Sequence, residues 1–189
     1  MEEKRVLRKT MKDNLAKIEQ DRYEVWSEKV RNRLFSLAEW KNSEVIGITL
    51  SREREVNTYQ IIEQAWTEGK KIAVPKCDPM EKKMTFRELQ SFDQLEVVYS
   101  GLKEPIEEFT NPVVQSEIDL LIVPGLSYTK NGYRLGFGGG YYDRYLKNYA
   151  NASISLAFDV QIIQYLPIES FDIPVQRIIT NESVIDCRE

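Results

Sequence analysis

Apolar residues at Leu7, Met11, Leu15 and Ile18 recur at intervals of four, four and three, which puts them on one face of an N-terminal helix. A second helix repeats the pattern with Tyr23, Trp26, Val30, Leu34 and Leu37, so both stripes should pack on one core. From Glu44 the period changes. Val45-Ile46-Gly47-Ile48-Thr49-Leu50 is a short apolar, β-branched run of the kind that forms a buried strand. A polar loop follows from Ser51 to Asn57. Asn57 or Thr58 can then cap a helix whose inward face is Ile61, Ile62, Ala65 and Trp66 and which Gly69 stops. The segment Lys71 to Pro75 supplies the next strand, completing a strand-helix-strand unit with a right-handed crossover.

Residues 76–117 are less regular, with Met84-Thr85-Phe86 and Glu96-Val97-Val98-Tyr99 as strands of a hairpin or a sheet edge. The pattern sharpens again at Asp119-Leu120-Leu121-Ile122-Val123, bounded by Pro124-Gly125, and at Ser153 to Phe158. This is the grammar of an α/β protein. No repeat, low-complexity stretch or linker interrupts it, so residues 1–189 are expected to form a single domain.

Composition narrows the chemistry. A chain of 189 residues, 42% hydrophobic, is large enough to bury about 70% of its unfolded surface without disulfides or a structural metal. With 26 Lys+Arg against 30 Asp+Glu it lacks the basic excess of a duplex nucleic-acid binder, and no such partner is expected. Histidine is absent, which excludes a Ser-His-Asp triad, an H-E-x-x-H zinc site and any imidazole acid or base. Cys77 and Cys187 have no C-x-x-C spacing, so a zinc ribbon and a dithiol redox site both fail. No apolar run has the 18 or so residues that span a bilayer, and the N-terminus has no apolar signal core; no membrane partner and a cytoplasmic location are expected.

Residues 132–146 hold five of the nine glycines, with arginines on both sides. Gly136, Gly138, Gly139 and Gly140 let backbone N–H groups approach an anion, and a helix expected over 141–149 would add its positive end. Phosphate is the natural guest. Arg134 can reach a pair of phosphate oxygens, and Asp143 can face a bound cation. The plainer alternative is a tight strand-to-helix turn with Asp143 complementing the helix end. Neither a Walker A loop nor the dinucleotide fingerprint is present, since no Gly-Lys-Ser/Thr follows and Tyr141 stands where the last glycine would be. Placement beyond the carboxyl end of strand 119–123 favours a ligand. The Ser51–Asn57 loop also lies past a strand end, so Glu55 is either an exposed loop acid or a carboxylate facing the same crevice. Lys4 and Arg8, one turn apart on the basic face of the first helix, either line a solvated surface or hold one anion between them.

The run Pro124-Gly125-Leu126-Ser127-Tyr128, then Gly132-Tyr133-Arg134-Leu135-Gly136-Phe137-Gly138-Gly139-Gly140-Tyr141-Tyr142-Asp143-Arg144, closely resembles the signature of the 5-formyltetrahydrofolate cyclo-ligase (methenyltetrahydrofolate synthetase) family. The resemblance extends to Lys4-x-x-x-Arg8, Glu55-Val56-Asn57-Thr58, Glu104-Pro105, Ala157-Phe158-Asp159-Val160-Gln161, Leu166-Pro167 and Asp172. It implies a Rossmann-like three-layer α/β/α sandwich with a mostly parallel sheet and N-terminal helices. It also implies an enzyme that uses ATP and Mg2+ to convert 5-formyltetrahydrofolate to 5,10-methenyltetrahydrofolate, ADP and phosphate; a monomer is expected.

By the same resemblance Lys4, Arg8 and the stretch Arg134, Leu135, Gly136, Phe137, Gly138, Gly139, Gly140, Tyr141 and Tyr142 contact ATP. Arg134 and Tyr142 are the catalytic candidates, and Asp143 and Asp172 hold magnesium. Leu50 and Glu55 line the folate pocket, and Gly138, Gly139, Gly140 and Tyr141 touch the folate as well. Two features depart from the pattern: Ser127-Tyr128-Thr129 stands where relatives usually have Ala-Phe-Asp, and Gly139 stands where some carry lysine. The reaction agrees with the missing histidine, because nucleophile and electrophile both belong to the substrates. Competing readings are a sugar-phosphate isomerase or CoA-dependent acyl-transfer relative with Glu55 as base, and a non-catalytic nucleotide- or RNA-binding module using the basic helix.

Overall fold

Strand parity dictates the layers. The structure, a computed structural model, describes residues 2–188. Among them Val45–Gly47 (β1), Lys71–Asp78 (β2), Lys83–Leu89 (β3), Leu120–Ile122 (β6), Ala152–Leu156 (β9), Arg177–Ile179 (β10) and Val184–Asp186 (β11) form one sheet in the order β11-β10-β9-β6-β1-β2-β3. The five central strands are parallel, and β3 and β11 close the edges antiparallel. Ile46, Ile72, Val74, Leu120, Ile122 and Ile154 point to one face, and Ala73, Leu121, Val123 and Ile178 point to the other.

The first face carries the helices Glu2–Ala16 (α1), Gln20–Ser36 (α2), Ala38–Asn42 (α3) and Tyr59–Thr67 (α4), which bury Met11, Leu15, Val30, Leu34, Trp40, Ile61 and Ile62 against it. The second carries Tyr141–Leu146 (α5), whose Leu146 packs with Tyr142 and Tyr145. The expected α/β sandwich is therefore present. At the start of α4 Asn57 Oδ1 accepts the Tyr59 N–H (3.1 Å), while Thr58 Oγ1 bonds across the loop to Ser51 and Thr49.

Several boundaries differ from the sequence pattern, for local reasons. The run 45–50 is laddered only as far as Gly47, because β1 must leave the sheet to form the loop that bears Glu55. The hairpin expected near 96–99 is Leu95–Val97 (β4) with Lys103–Pro105 (β5), and Tyr99 lies in a 3-10 turn. The helix expected over 141–149 keeps regular form only to Leu146. A small antiparallel hairpin, Ser127–Tyr128 (β7) with Arg134–Leu135 (β8), stands between β6 and the glycines. The glycine loop thus reaches the strand ends by way of this hairpin and not directly from β6. Strands β10 and β11 have no sequence signal of their own, since three residues each are too short for a period to register. Among the described residues no helix is long and apolar enough to cross a membrane.

Candidate functional site

The carboxyl ends of β1, β6 and β9 open onto three loops, and the side chains singled out above gather there. Beyond β8 the backbone passes through Gly138 (φ 107°) and Gly140 (φ 64°), left-handed turns that a side chain would strain, before α5 begins. With six residues α5 has a weak end charge, so any anion held here relies on loop N–H groups and neighbouring cations.

Those cations come from α1. Arg8 Nε donates to the Gly136 carbonyl (2.8 Å), and a Cβ built on Gly138 would lie 3.8 Å from the Arg8 guanidinium carbon. One turn earlier Lys4 Nζ pairs with Glu169 (3.1 Å) and Asp172 (3.2 Å). Burial works against the Lys4 charge, but the hydrogen bonds it donates to these two carboxylates, with their negative charge, outweigh it and hold the ammonium above its usual pKa. Arg134 is a buried brace, its side chain 3% exposed: Nη1 donates to the Ile173 carbonyl (2.6 Å) and Nη2 to Asp143 Oδ1 (2.9 Å). The same Asp143 oxygen accepts the Ile173 N–H (3.1 Å). Lys4, Arg8, Arg134, Asp143 and Asp172 thus converge on the glycine loop and on segment 169–173.

Asp143 Oδ2 and Asp172 Oδ1 accept no hydrogen bond among the described residues. Each carboxylate therefore keeps an oxygen for a hard cation, although no group of three or more His, Cys, Asp or Glu among these residues is placed to hold a metal by itself. Tyr142 packs its ring against the core on the α5 face of the sheet, and its hydroxyl is buried without a hydrogen-bond partner of good geometry. Burial pushes its pKa above the ordinary tyrosine value. Phe137 is exposed.

Sequence reasoning missed two contributors. Arg144 Nη2 ties down the Gly139 carbonyl (2.8 Å) while its guanidinium lies over the Tyr141 ring. The proximity of two basic residues to the glycine run was the only available hint. Glu169, the partner of Lys4, had no signal, since 165 residues separate the pair.

Leu50 is buried in the core beneath α1 to α4. Glu55 accepts the Arg52 N–H (2.8 Å), which closes its loop and leaves the carboxyl on the border of two cavities. The inner one lies at the strand ends and is small, about 30 Å3, with Thr49, Ser51, Thr58 and Gln161 among its walls. The outer one is an open cleft of about 450 Å3 between α1, residues 52–55, Leu126 and Phe137. Loss of water around Glu55 raises its pKa from the usual 4.5 to about 7, against the pull of the Arg52 N–H and the Arg52 and Lys12 charges.

In the unfolded chain Glu55 releases its proton near 4.5, whereas the folded protein retains it to about 7. Its contribution to stability is therefore fully present below 4.5 and is lost as pH rises toward 7. Glu55→Gln should flatten the fall in stability across that window, as read by urea unfolding at pH 5 and pH 7; an unchanged pH slope would mean that Glu55 is not the group responsible.

The departure Ser127-Tyr128-Thr129 has a structural account in part. Tyr128 is fully buried, its hydroxyl donating to the Gly125 carbonyl (3.2 Å), and Ser127 is buried beside it. The Thr129 N–H and carbonyl close the hairpin turn, while its buried hydroxyl has no partner.

Residues 1–181 match the model of the 5-formyltetrahydrofolate cyclo-ligase family. The chain is 34% identical over 145 residues to the 5-formyltetrahydrofolate cyclo-ligase of Escherichia coli K12, covering 74% of this chain and 79% of the relative. It is 28% identical over 191 residues to that of Mus musculus, covering 95% and 94%. Its structure resembles the NMR structure of Aquifex aeolicus 5,10-methenyltetrahydrofolate synthetase with a TM-score of 0.86, at 30% identity and over 98% of this chain and 93% of that one.

Proposed function

The chain belongs to the 5-formyltetrahydrofolate cyclo-ligase family and is a cyclo-ligase of that kind, and from this premise we propose that ATP and Mg2+ drive its reaction at the corner built by the glycine loop, α1 and segment 169–173. The observation that supports the reading is that Arg8 from α1 bonds to the glycine turn at Gly136 while Lys4, Arg134, Asp143 and Asp172 are tied to segment 169–173 beside it, so four separate stretches of chain meet there. A run of glycines in a plain turn has no need of three cations and two carboxylates around it.

A formamide is a poor electrophile. Its oxygen attacks the γ-phosphorus of ATP, ADP leaves, and the activated carbon, now bearing a phosphoryl leaving group, is closed upon by the neighbouring N10 amine. N10 loses its proton, and phosphate departs with the formyl oxygen. The protein's part is alignment and charge neutralisation. Loop N–H groups, Lys4 and Arg8 receive the phosphates, and Arg134 braces the corner and adds its charge beside it. The buried Tyr142 hydroxyl, unpaired at the start of α5, is a donor available to an oxygen in a setting of low dielectric.

Magnesium bound with ATP supplies charge neutralisation at the phosphates. Asp143 and Asp172, each with one uncommitted oxygen, fit an ion that takes one or two carboxylates and completes its shell with water and phosphate. Glu55 lines the folate pocket, and Leu50, buried in the core, takes part only as packing behind it.

Incubation with ATP, magnesium and 5-formyltetrahydrofolate should produce methenyltetrahydrofolate absorbance; no product at high protein concentration defeats the reading. Glu55→Gln should raise KM for the folate about tenfold or more, the scale of a hydrogen bond to a charged group, and leave ATP affinity within about twofold. The reverse pattern would put Glu55 in the nucleotide pocket instead.

A further inference from the structure

Arg144 is exposed on α5, yet among the described residues it gives its hydrogen bonds to two backbone carbonyls and to no carboxylate. Nη2 donates to the Gly139 carbonyl (2.8 Å) and Nε to the Lys82 carbonyl (3.1 Å). Lys82 stands at the tip of the β2–β3 hairpin in a left-handed conformation (φ 53°). The guanidinium lies close against the loop: it sits over the Tyr141 ring at 5.1 Å, and a Cβ built on Gly140 would be 2.8 Å from Nη1.

A planar trans peptide points its C=O and its N–H to opposite sides. No peptide among the described residues is cis, so fixing the Gly139 carbonyl on Arg144 turns the Gly140 N–H away from it. Among the described residues the N–H groups of Gly138, Gly139 and Gly140 donate to no protein acceptor. Glycine planes rotate at little cost, so an untethered 139–140 peptide would sample other orientations and lose part of this N–H set. At the other end of the run Arg8 already grips the Gly136 carbonyl from α1.

We propose that Arg144 is a positioning residue of the phosphate seat, clamping the 139–140 peptide to the tip of the β2–β3 hairpin so that the Gly140 N–H is held toward the triphosphate. The inference rests on the ATP reading of the glycine loop and adds a residue and a hairpin that the reading does not use. The fork matters as well as the charge, because a rigid guanidinium spans two carbonyls from distant parts of the chain and an ammonium does not.

Arg144→Ala should raise both the dissociation constant and the KM for ATP about tenfold, the scale of one charge-assisted hydrogen bond, with kcat and the KM for 5-formyltetrahydrofolate within about twofold. Because the side chain is exposed, this variant should melt within about 3 °C of the unmodified protein. Arg144→Lys should remain about fivefold weaker for ATP. Lys82→Pro fixes φ at about −65°, which moves the carbonyl that anchors Nε, and it should raise the KM for ATP about threefold although residue 82 lies outside the seat. In a nitrogen–proton correlation spectrum ATP should shift the Gly140 amide of the unmodified protein, and in Arg144→Ala that shift should shrink by about half or more. Unaltered ATP affinity in a folded Arg144→Ala protein, equal losses for ATP and folate, or full recovery in Arg144→Lys would overturn the clamp and leave the ATP reading standing. An unmoved KM for ATP in Lys82→Pro would overturn the link to the hairpin. Failure of the unmodified protein to bind ATP in calorimetry would overturn the ATP reading, and the clamp with it.

Discussion

Arg134→Ala is expected to lower kcat/KM for ATP by about 100- to 1,000-fold, the range that follows from removing a group that stabilises charge on a transferring phosphate. The structure adds a second consequence. Arg134 is buried, and its two Nη donors hold the Ile173 carbonyl and Asp143. Without them the Ile173 carbonyl loses the Arg134 donor and the Asp143 carboxylate loses the guanidinium, keeping the Ile173 N–H, a loss of about 1–3 kcal/mol for a partly buried group that retains one of its hydrogen bonds. ATP affinity and folding stability should therefore fall together, because segment 173, freed from Arg134, no longer presents its neighbour Asp172 to Lys4.

Arg134→Lys separates the two effects. It keeps the charge but supplies no planar fork, so it should recover part of the stability and little of the ATP kinetics. Isothermal titration with ATP beside urea unfolding reads both. A folded Arg134→Ala protein with unaltered ATP kinetics would remove the residue from the nucleotide site.

The second large effect is expected at Gly132, two residues upstream. Its φ of 86° is already unfavourable for a side chain, and a Cβ there would lie 2.3 Å from the Val175 carbonyl oxygen and 3.0 Å from Cys187 Cβ. The first of these is backbone, which cannot swing aside. That backbone is also held in place, since the Val175 N–H donates to the Gly132 carbonyl (3.0 Å) and the Gly132 N–H to Thr129 (2.9 Å). Gly132→Ala must push the β7–β8 hairpin off the segment that leads into β10.

A loss of at least about 3 kcal/mol is expected for this substitution, combining a strained φ with overpacking, which for a chain of this size lowers the melting temperature by about 10 °C. Gly136→Ala is the control. A Cβ there meets nothing within 4 Å, and the residue is not among the positive-φ glycines. It should unfold within about 2 °C of the unmodified protein, a shift below about 1 kcal/mol for this size. Differential scanning calorimetry distinguishes the two, and equal melting temperatures would refute the account of Gly132.

Where the sequence was legible, the information was local. The four-residue spacing of Leu7, Met11 and Leu15 marked α1, which ends at Ala16; Ile18, expected on the same helix, lies in the turn before α2 but is buried with Met11 and Leu15. In β1, β2 and β6 the continuous apolar runs announced strands covered on both faces, and the sheet is parallel there with helices above and below. The clustering of glycines between arginines marked the loop, and the position of Glu55 past β1 marked the cleft. In each case the period or the turn chemistry is a property of a few consecutive residues, so a short window contains it.

What lies outside such windows only the packed chain decided. Nothing near Lys4 in sequence names Glu169 or Asp172, and nothing near Arg134 names Ile173; these partners meet because α1 and the segment before β10 are both drawn onto the sheet around the glycine loop. The assignment of Arg134 as a buried brace, the small hairpin that carries the glycines to the strand ends, and the cleft that sets Lys12 over Phe137 are of the same kind. Residue type and spacing determined which groups were available and which faces were apolar. Which of those groups meet depends on how two faces of one sheet are covered at once, a condition satisfied only by the whole chain, because burial and pairing are energies between residues that the backbone separates.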